Sequence, residues 1–182
     1  MTNKILSFLK NNGVGLKRGS LRLVFSDTLV PIGEKFQQDL QTATKEHFEH
    51  IGSTSVKGLK TKPILDFLLT YEGEDLSKDV IKALESIGFT YKGDILSTVN
   101  KTHVKQGRHF FALYDEEKTT DFAHIHALPK EDQEAKNLTL FRERLKEDPK
   151  KIDLYNSFKQ KLLADNISRE EYRVSKASVV SE

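Results

Sequence analysis

Ile51-Gly-Ser-Thr-Ser-Val-Lys-Gly-Leu59 and, after three intervening residues, Pro63-Ile-Leu-Asp-Phe-Leu-Leu-Thr70 form the stretch on which the reading of this chain turns. The first part is small and hydroxyl-rich, the composition of a tight loop. The second is a continuous apolar run around a single carboxylate, and its length suits a buried strand. Gly52 lets the chain turn sharply and lets a ligand approach the backbone. Ser53, Thr54 and Ser55 add three hydroxyls beside N–H groups that can cradle phosphate oxygens. Lys57, Lys60 and Lys62 place positive charge nearby. The Gly-Lys-Ser/Thr ending of the Walker P-loop is missing. An ordinary loop rich in turn formers has the same composition. Asp66 is more pointed. An ionised carboxylate buried without partners costs roughly several kcal/mol, so Asp66 is expected to face a cation, a metal ion or a cleft. A structural ion pair is the alternative.

On the N-terminal side, Ile5, Leu6, Phe8 and Leu9 mark a short amphipathic helix, and Leu21-Arg-Leu-Val-Phe25 reads as a short strand. Pro31 suits the first turn of a helix whose stripe is Ile32, Phe36, Leu40 and Ala43. On the C-terminal side, Ser77 caps a helix with Val80, Ile81, Leu84 and Ile87 on its buried face, and Gly88 ends it. Arg108 to Tyr114 and Thr120 to Ala127 read as two strands joined by a tight turn over 115–118. The polar segment 92–107 yields no assignment. From about residue 130 the pattern is helical. Leu138, Phe141 and Leu145 share one face, and Asp148-Pro149 starts a helix carrying Ile152, Tyr155, Phe158 and Leu162. Ser168-Arg-Glu-Glu171 is a capping box for a last helix with Tyr172 and Val179.

His124 and His126 stand two apart on a strand and therefore share a face, with Ala123, Ile125 and Ala127 turned to the core. Two imidazoles can ligate a divalent ion, bind phosphate as cations, or exchange protons near neutral pH. Two histidines need a third ligand, and Asp66 is the candidate if its strand is a neighbour. Phe122 is expected on the histidine face, which leaves a packing role open. Arg108 could clamp an anion through its planar fork. His50 precedes the loop and could line it. His47 and His103 read as solvated, and His109 is uninformative.

The 182 residues are 37% hydrophobic and 31% charged, with 29 Lys and Arg against 27 Asp and Glu. This is a globular profile of a size for one domain, with a core at about 15–128 and a helical extension at about 130–182. A net charge of +2 argues against long nucleic acid as a partner. The absence of cysteine excludes disulfides, thiol catalysis and thiolate metal sites. No apolar run spans a membrane, and the chain reads as cytoplasmic.

His50-Ile-Gly-Ser-Thr-Ser-Val-Lys-Gly-Leu59 followed by Lys62-Pro-Ile-Leu-Asp66 resembles the signature of the GrpB family, His-Ile/Val-Gly-Ser-Thr-Ser/Ala-Val-Pro-Gly-Leu and then Lys-Pro-Ile-Ile-Asp. His124-Ile-His126 is similar to its His-Leu-His strand. Phe141-Arg142, Leu145, Tyr155, Lys159 and Leu162 fall where its later helices lie, and Tyr172 and Lys176 match its closing Tyr-x-x-x-Lys. The family is similar to the nucleotidyltransferase superfamily, the fold of polymerase beta. The resemblance implies an α/β (α+β) fold: a small mixed sheet flanked by helices, with a C-terminal helical segment. It implies that Gly52 and Ser53 grip a nucleoside triphosphate, with Lys62 facing the phosphates or bracing Asp66, the first metal carboxylate. His50, Arg142, Tyr155 and Lys159 would line the cleft and choose a small-molecule or protein acceptor.

Two departures stand out. Lys57 replaces the usual proline. Leu68 occupies the position where the superfamily carries its second carboxylate. His124 and His126 could replace it, and a mixed Asp/His site favours zinc or manganese over magnesium. Three readings follow: a metal-dependent nucleotidyltransferase, a nucleotide- or anion-binding module without catalysis, and a metal-dependent phosphoester hydrolase at Asp66, His124 and His126.

Overall fold

The structure is a computed structural model that describes residues 2–95 and 106–164. Its centre is a mixed sheet. The strands are β1 (Leu16–Lys17), β2 (Val24–Phe25), β3 (Phe48–Ile51), β4 (Lys60–Thr61), β5 (Leu65–Tyr71), β6 (Phe89–Asp94), β7 (His109–Tyr114) and β8 (Thr120–Pro129). The helices are α1 (Thr2–Asn11), α2 (Leu29–Thr44), α3 (Lys78–Ser86), α4 (Gln133–Glu147) and α5 (Pro149–Ala164). The sheet runs β3-β5-β8-β7-β6, with β1 also paired to β8, while β2 and β4 form a separate ladder. Within it β5 and β8 are parallel and the other neighbours antiparallel. No helix among the described residues is long and apolar enough to cross a membrane.

Alternation along β5 sorts the two faces. Leu65, Phe67 and Leu69 join the main core, which α1, α2 and α3 cover through Leu9, Phe36, Leu40 and Leu84. Asp66 and Leu68 face the other way. There α4 covers part of the sheet through a smaller cluster of Ile51, Leu68, Leu128 and Ala135. A third cluster joins Val56 and Leu59 of the loop to Leu145 and Tyr155 of α4 and α5. The C-terminal helices therefore pack on the loop as well as on the sheet.

The helix ends behave as their residues dictate. The Ser77 side chain accepts a hydrogen bond from Asp79 N, and Gly88 takes φ +107° just beyond α3. Asp148 accepts from Lys150 N ahead of α5, and Asp132 accepts from Glu134 N ahead of α4. In the hairpin turn Asp115 accepts from Thr119 N and Thr120 N.

Three expectations change. The strand expected at Leu21–Phe25 is only Val24–Phe25, because its pairing partner β4 has just two residues. Ala43 is exposed, and the buried line of α2 is Leu29, Gly33, Phe36 and Leu40. Phe122 does not share the histidine face. A register shift sets Leu113 opposite Ala123 but Tyr114 opposite Asp121, and this bulge turns the Phe122 ring into the main core. His103, the capping box at Ser168 to Glu171, Tyr172, Lys176 and Val179 lie outside the described residues.

Candidate functional site

The parallel register of β5 and β8 sets Asp66 level with His124 and Leu68 level with His126. The expected neighbourhood therefore exists. His124 Nδ1 lies 3.3 Å from Asp66 Oδ1, and His126 Nε2 lies 3.9 Å from the same oxygen. All three side chains keep part of their surface in solvent: 31% for Asp66, 21% for His124 and 32% for His126. Phe110 on β7 packs between the two imidazoles, with ring centroids 5.2 and 5.3 Å away, and so limits their rotation. Burial pushes the Asp66 carboxyl up, but hydrogen bonds and charge from His124 and His126 outweigh it and hold the group well below the usual carboxylate range. The site thus offers a persistent anion between two imidazoles.

The loop backs directly onto this carboxylate. Gly52 has φ +71°, and a Cβ there would lie 3.2 Å from Asp66 Oδ2. The backbone angle calls for glycine, and a Cβ there would also press on the carboxylate. Ser53–Ser55 form one 3-10 turn, and all three residues are buried. Ser55 Oγ donates to Gly52 O, and the Thr54 hydroxyl meets His50 Nε2 at 2.9 Å.

Lys159 of α5 is 1% exposed and donates to Ser53 Oγ at 3.0 Å and to Lys60 O at 2.6 Å. Its ammonium sits 4.1 Å from the Tyr155 ring centre. The Tyr155 hydroxyl is buried near Ser53 without reaching hydrogen-bond geometry, and burial pushes its pKa up. Asn156 accepts from Lys60 N and donates to Gly58 O, a second clasp between α5 and the loop. Arg142 of α4 donates to His50 O and pairs with Glu49 and Glu143.

His50 is held under helix α2. Gly33 leaves the space its ring occupies, since a Cβ at that position would lie 2.0 Å from His50 Cε1. Burial is the main cause that lowers the His50 pKa to about 4, helped by Arg142 and Lys146 and opposed by Asp66. The ring is therefore neutral at pH 7.

Of the residues expected at the site, Gly52, Asp66, His124 and His126 meet at one place. Ser53, Thr54, Ser55, His50, Arg142, Tyr155 and Lys159 form the framework behind it. Arg108 lies differently. Arg108 gives its fork to Asp132, with contacts of 2.7 and 2.8 Å, and so ties β7 to the start of α4. The backbone carbonyl of Lys62 accepts from Ile64 N and the Thr61 hydroxyl, which fixes the chain between the loop and β5. Sequence reasoning missed Asn156, Gly33 and His109. The last is buried, with Nδ1 2.7 Å from the Tyr91 hydroxyl and Nε2 2.8 Å from Asp75. Only Gly33 left a signal, a glycine on the apolar stripe of a helix.

One carboxylate and two imidazoles are donors suited to a divalent transition-metal ion. Among the described residues, however, no three His, Asp or Glu side chains are already arranged around a point that could hold an ion. His124 and His126 turn toward Asp66 itself.

A mixed sheet with a hydroxyl-rich loop set against a strand carboxylate, closed by C-terminal helices, is the class of protein this fold and site define. The family described as GrpB protein matches residues 30–182, and the chain belongs to the GrpB family. Its similarity to the crystal structure of the conserved protein GrpB from Enterococcus faecalis has a TM-score of 0.66 at 26% identity, covering 92% of this chain and 93% of that one. A UPF0157 protein of Vibrio cholerae is 26% identical over 132 residues, 72% of this chain and 62% of that protein. A UPF0157 protein of Halalkalibacterium halodurans is 28% identical over 135 residues, 74% of this chain and 63% of that protein. The matched region is thus less than two thirds of the length of either curated relative.

Proposed function

We propose that this chain binds a nucleoside triphosphate with a divalent metal ion and transfers the nucleotidyl group to a small-molecule or protein acceptor. The observation that carries the reading is the β5–β8 register, which brings Asp66, His124 and His126 together in front of Gly52. When bound, the ion supplies charge neutralisation at the phosphate oxygens. Asp66 supplies a carboxylate that stays ionised. His124 and His126 supply the ligands that the superfamily's second carboxylate would otherwise provide. Gly52 admits close backbone approach, while Lys159 and Asn156 fix the shape of the loop around it. Zinc or manganese suits this donor set better than magnesium.

A second reading, nucleotide or anion binding without transfer, has one observation in its favour. Leu68 is buried in the apolar cluster under α4, so β5 carries a single site carboxylate. Pyrophosphate release from each nucleoside triphosphate, assayed with manganese, zinc or magnesium in the presence of a metabolite extract, separates the two. Transfer predicts metal-dependent release that is lost in Asp66→Asn. Ligand binding with no release under any metal overturns transfer in favour of the binding module.

A further inference from the structure

At the β3 edge of the sheet, a cleft of about 300 Å³ lies between α2, β3 and α4. That is the small end of the range for small-molecule sites, about 300–1,000 Å³. Its walls are charged in a particular balance. Arg142 and Lys146 of α4 contribute two cations, and Glu34 of α2 and Glu49 of β3 contribute two carboxylates. Glu49 and Arg142 neutralise each other at 2.8 Å. Arg142 is further held by Glu143 and by His50 O.

The loosely held Lys146 and the carboxylate of Glu34 are then the charges of opposite sign that face a ligand, with His47 beside them. Lys146 forms a long ion pair with Glu143, at 3.7 Å, and must share that carboxylate with Arg142. Glu34 makes no hydrogen bond or ion pair among the described residues. A ligand with a single negative charge meets Glu34 unfavourably, and one with a single positive charge meets Lys146 unfavourably. A molecule bearing both charges satisfies both walls.

The cleft is joined to the phosphate loop. Ser55 lines it while donating to Gly52 O, and His50 lines it while its ring meets the Thr54 hydroxyl. We infer that this cleft binds a small zwitterion, carrying a primary ammonium together with a carboxylate or phosphate, and that zwitterions of this class are the acceptors. The acceptor role rests on the transfer reading above. The binding does not.

The test is calorimetric titration of the full chain, free of metal and nucleotide, with phosphoethanolamine and with L-serine. Ethanolamine, acetate and inorganic phosphate are the single-charge controls. At least one zwitterion is expected to bind saturably and at least tenfold more tightly than every control. Glu34→Gln and Lys146→Met should each weaken that binding tenfold or more. Lys82→Met, on the exposed side of α3, should leave it unchanged. The inference is overturned if neither zwitterion binds saturably, if phosphate alone binds equally well, or if neither cleft variant weakens binding. Circular dichroism of each variant excludes unfolding as the cause of a loss. Zwitterion binding without a nucleotide response sinks the transfer reading and leaves the cleft. A nucleotide response without zwitterion binding sinks only the cleft.

Discussion

Replacing Gly33 by alanine probes the packing that holds the site's framework. An alanine Cβ would lie 2.0 Å from His50 Cε1, 2.3 Å from Nδ1 and 2.6 Å from Nε2. Non-bonded carbons rest at about 3.5–4.0 Å, so the ring must move by well over an ångström. It has little freedom to do so. His50 is 5% exposed, its Nε2 is bonded to the Thr54 hydroxyl, and its ring lies 5.3 Å from that of Phe67. Overpacking of this kind costs about 1–3 kcal/mol, and loss of the Thr54 hydrogen bond adds about 0.5–1.5 kcal/mol. Better helix propensity returns about 0.5–1 kcal/mol. The net expectation is a destabilisation of about 0.5–4 kcal/mol, centred near 2, read from urea unfolding. A Gly33→Ala protein as stable as the parent, or more stable, refutes the packing argument and with it the fixed position of His50.

Titration of the His50 ring followed by NMR should give a midpoint near 4, and a midpoint near 6.5 would contradict its burial. Because the folded value lies below the unfolded one, this residue's contribution to stability is lost as pH falls from about 6.5 toward 4. His50→Gln should therefore lose less stability than the parent over that window. Asn156→Leu removes the partners of Lys60 N and Gly58 O, for an expected loss of about 2 kcal/mol and faster exchange of the Lys60 amide. Unchanged Lys60 exchange would show that α5 does not hold the loop.

Of the main sheet, β5, β7 and β8 were legible because they obey local rules, whereas β1, β3 and β6 drew no strand expectation. The apolar run at β5 and the hairpin β7–β8 have the lengths and turn residues that strands require. The helix starts at Ser77 and Asp148 were legible from capping chemistry alone. Phe122 was misplaced because strict alternation carries no information about a bulge, which depends on how two strands pair. The site was legible in its parts: Asp66, Gly52 and the two histidines each stood out locally. Their meeting depended on the β5–β8 register, which no single segment specifies. Arg108 read as free to clamp an anion because its partner, Asp132, is 24 residues away and doubles as a helix cap. Asn156 and His109 were invisible for the same reason, since their partners lie on other elements.

Thermal unfolding of the purified chain with each nucleoside triphosphate, with and without manganese, zinc or magnesium, tests the central claim most directly. A ligand that binds only the folded state raises the midpoint. The account predicts a rise with at least one nucleotide that requires the metal and disappears in Asp66→Asn, while that variant unfolds without ligand within about 1 kcal/mol of the parent. No rise with any nucleotide, or a rise that Asp66→Asn retains in full, would contradict it.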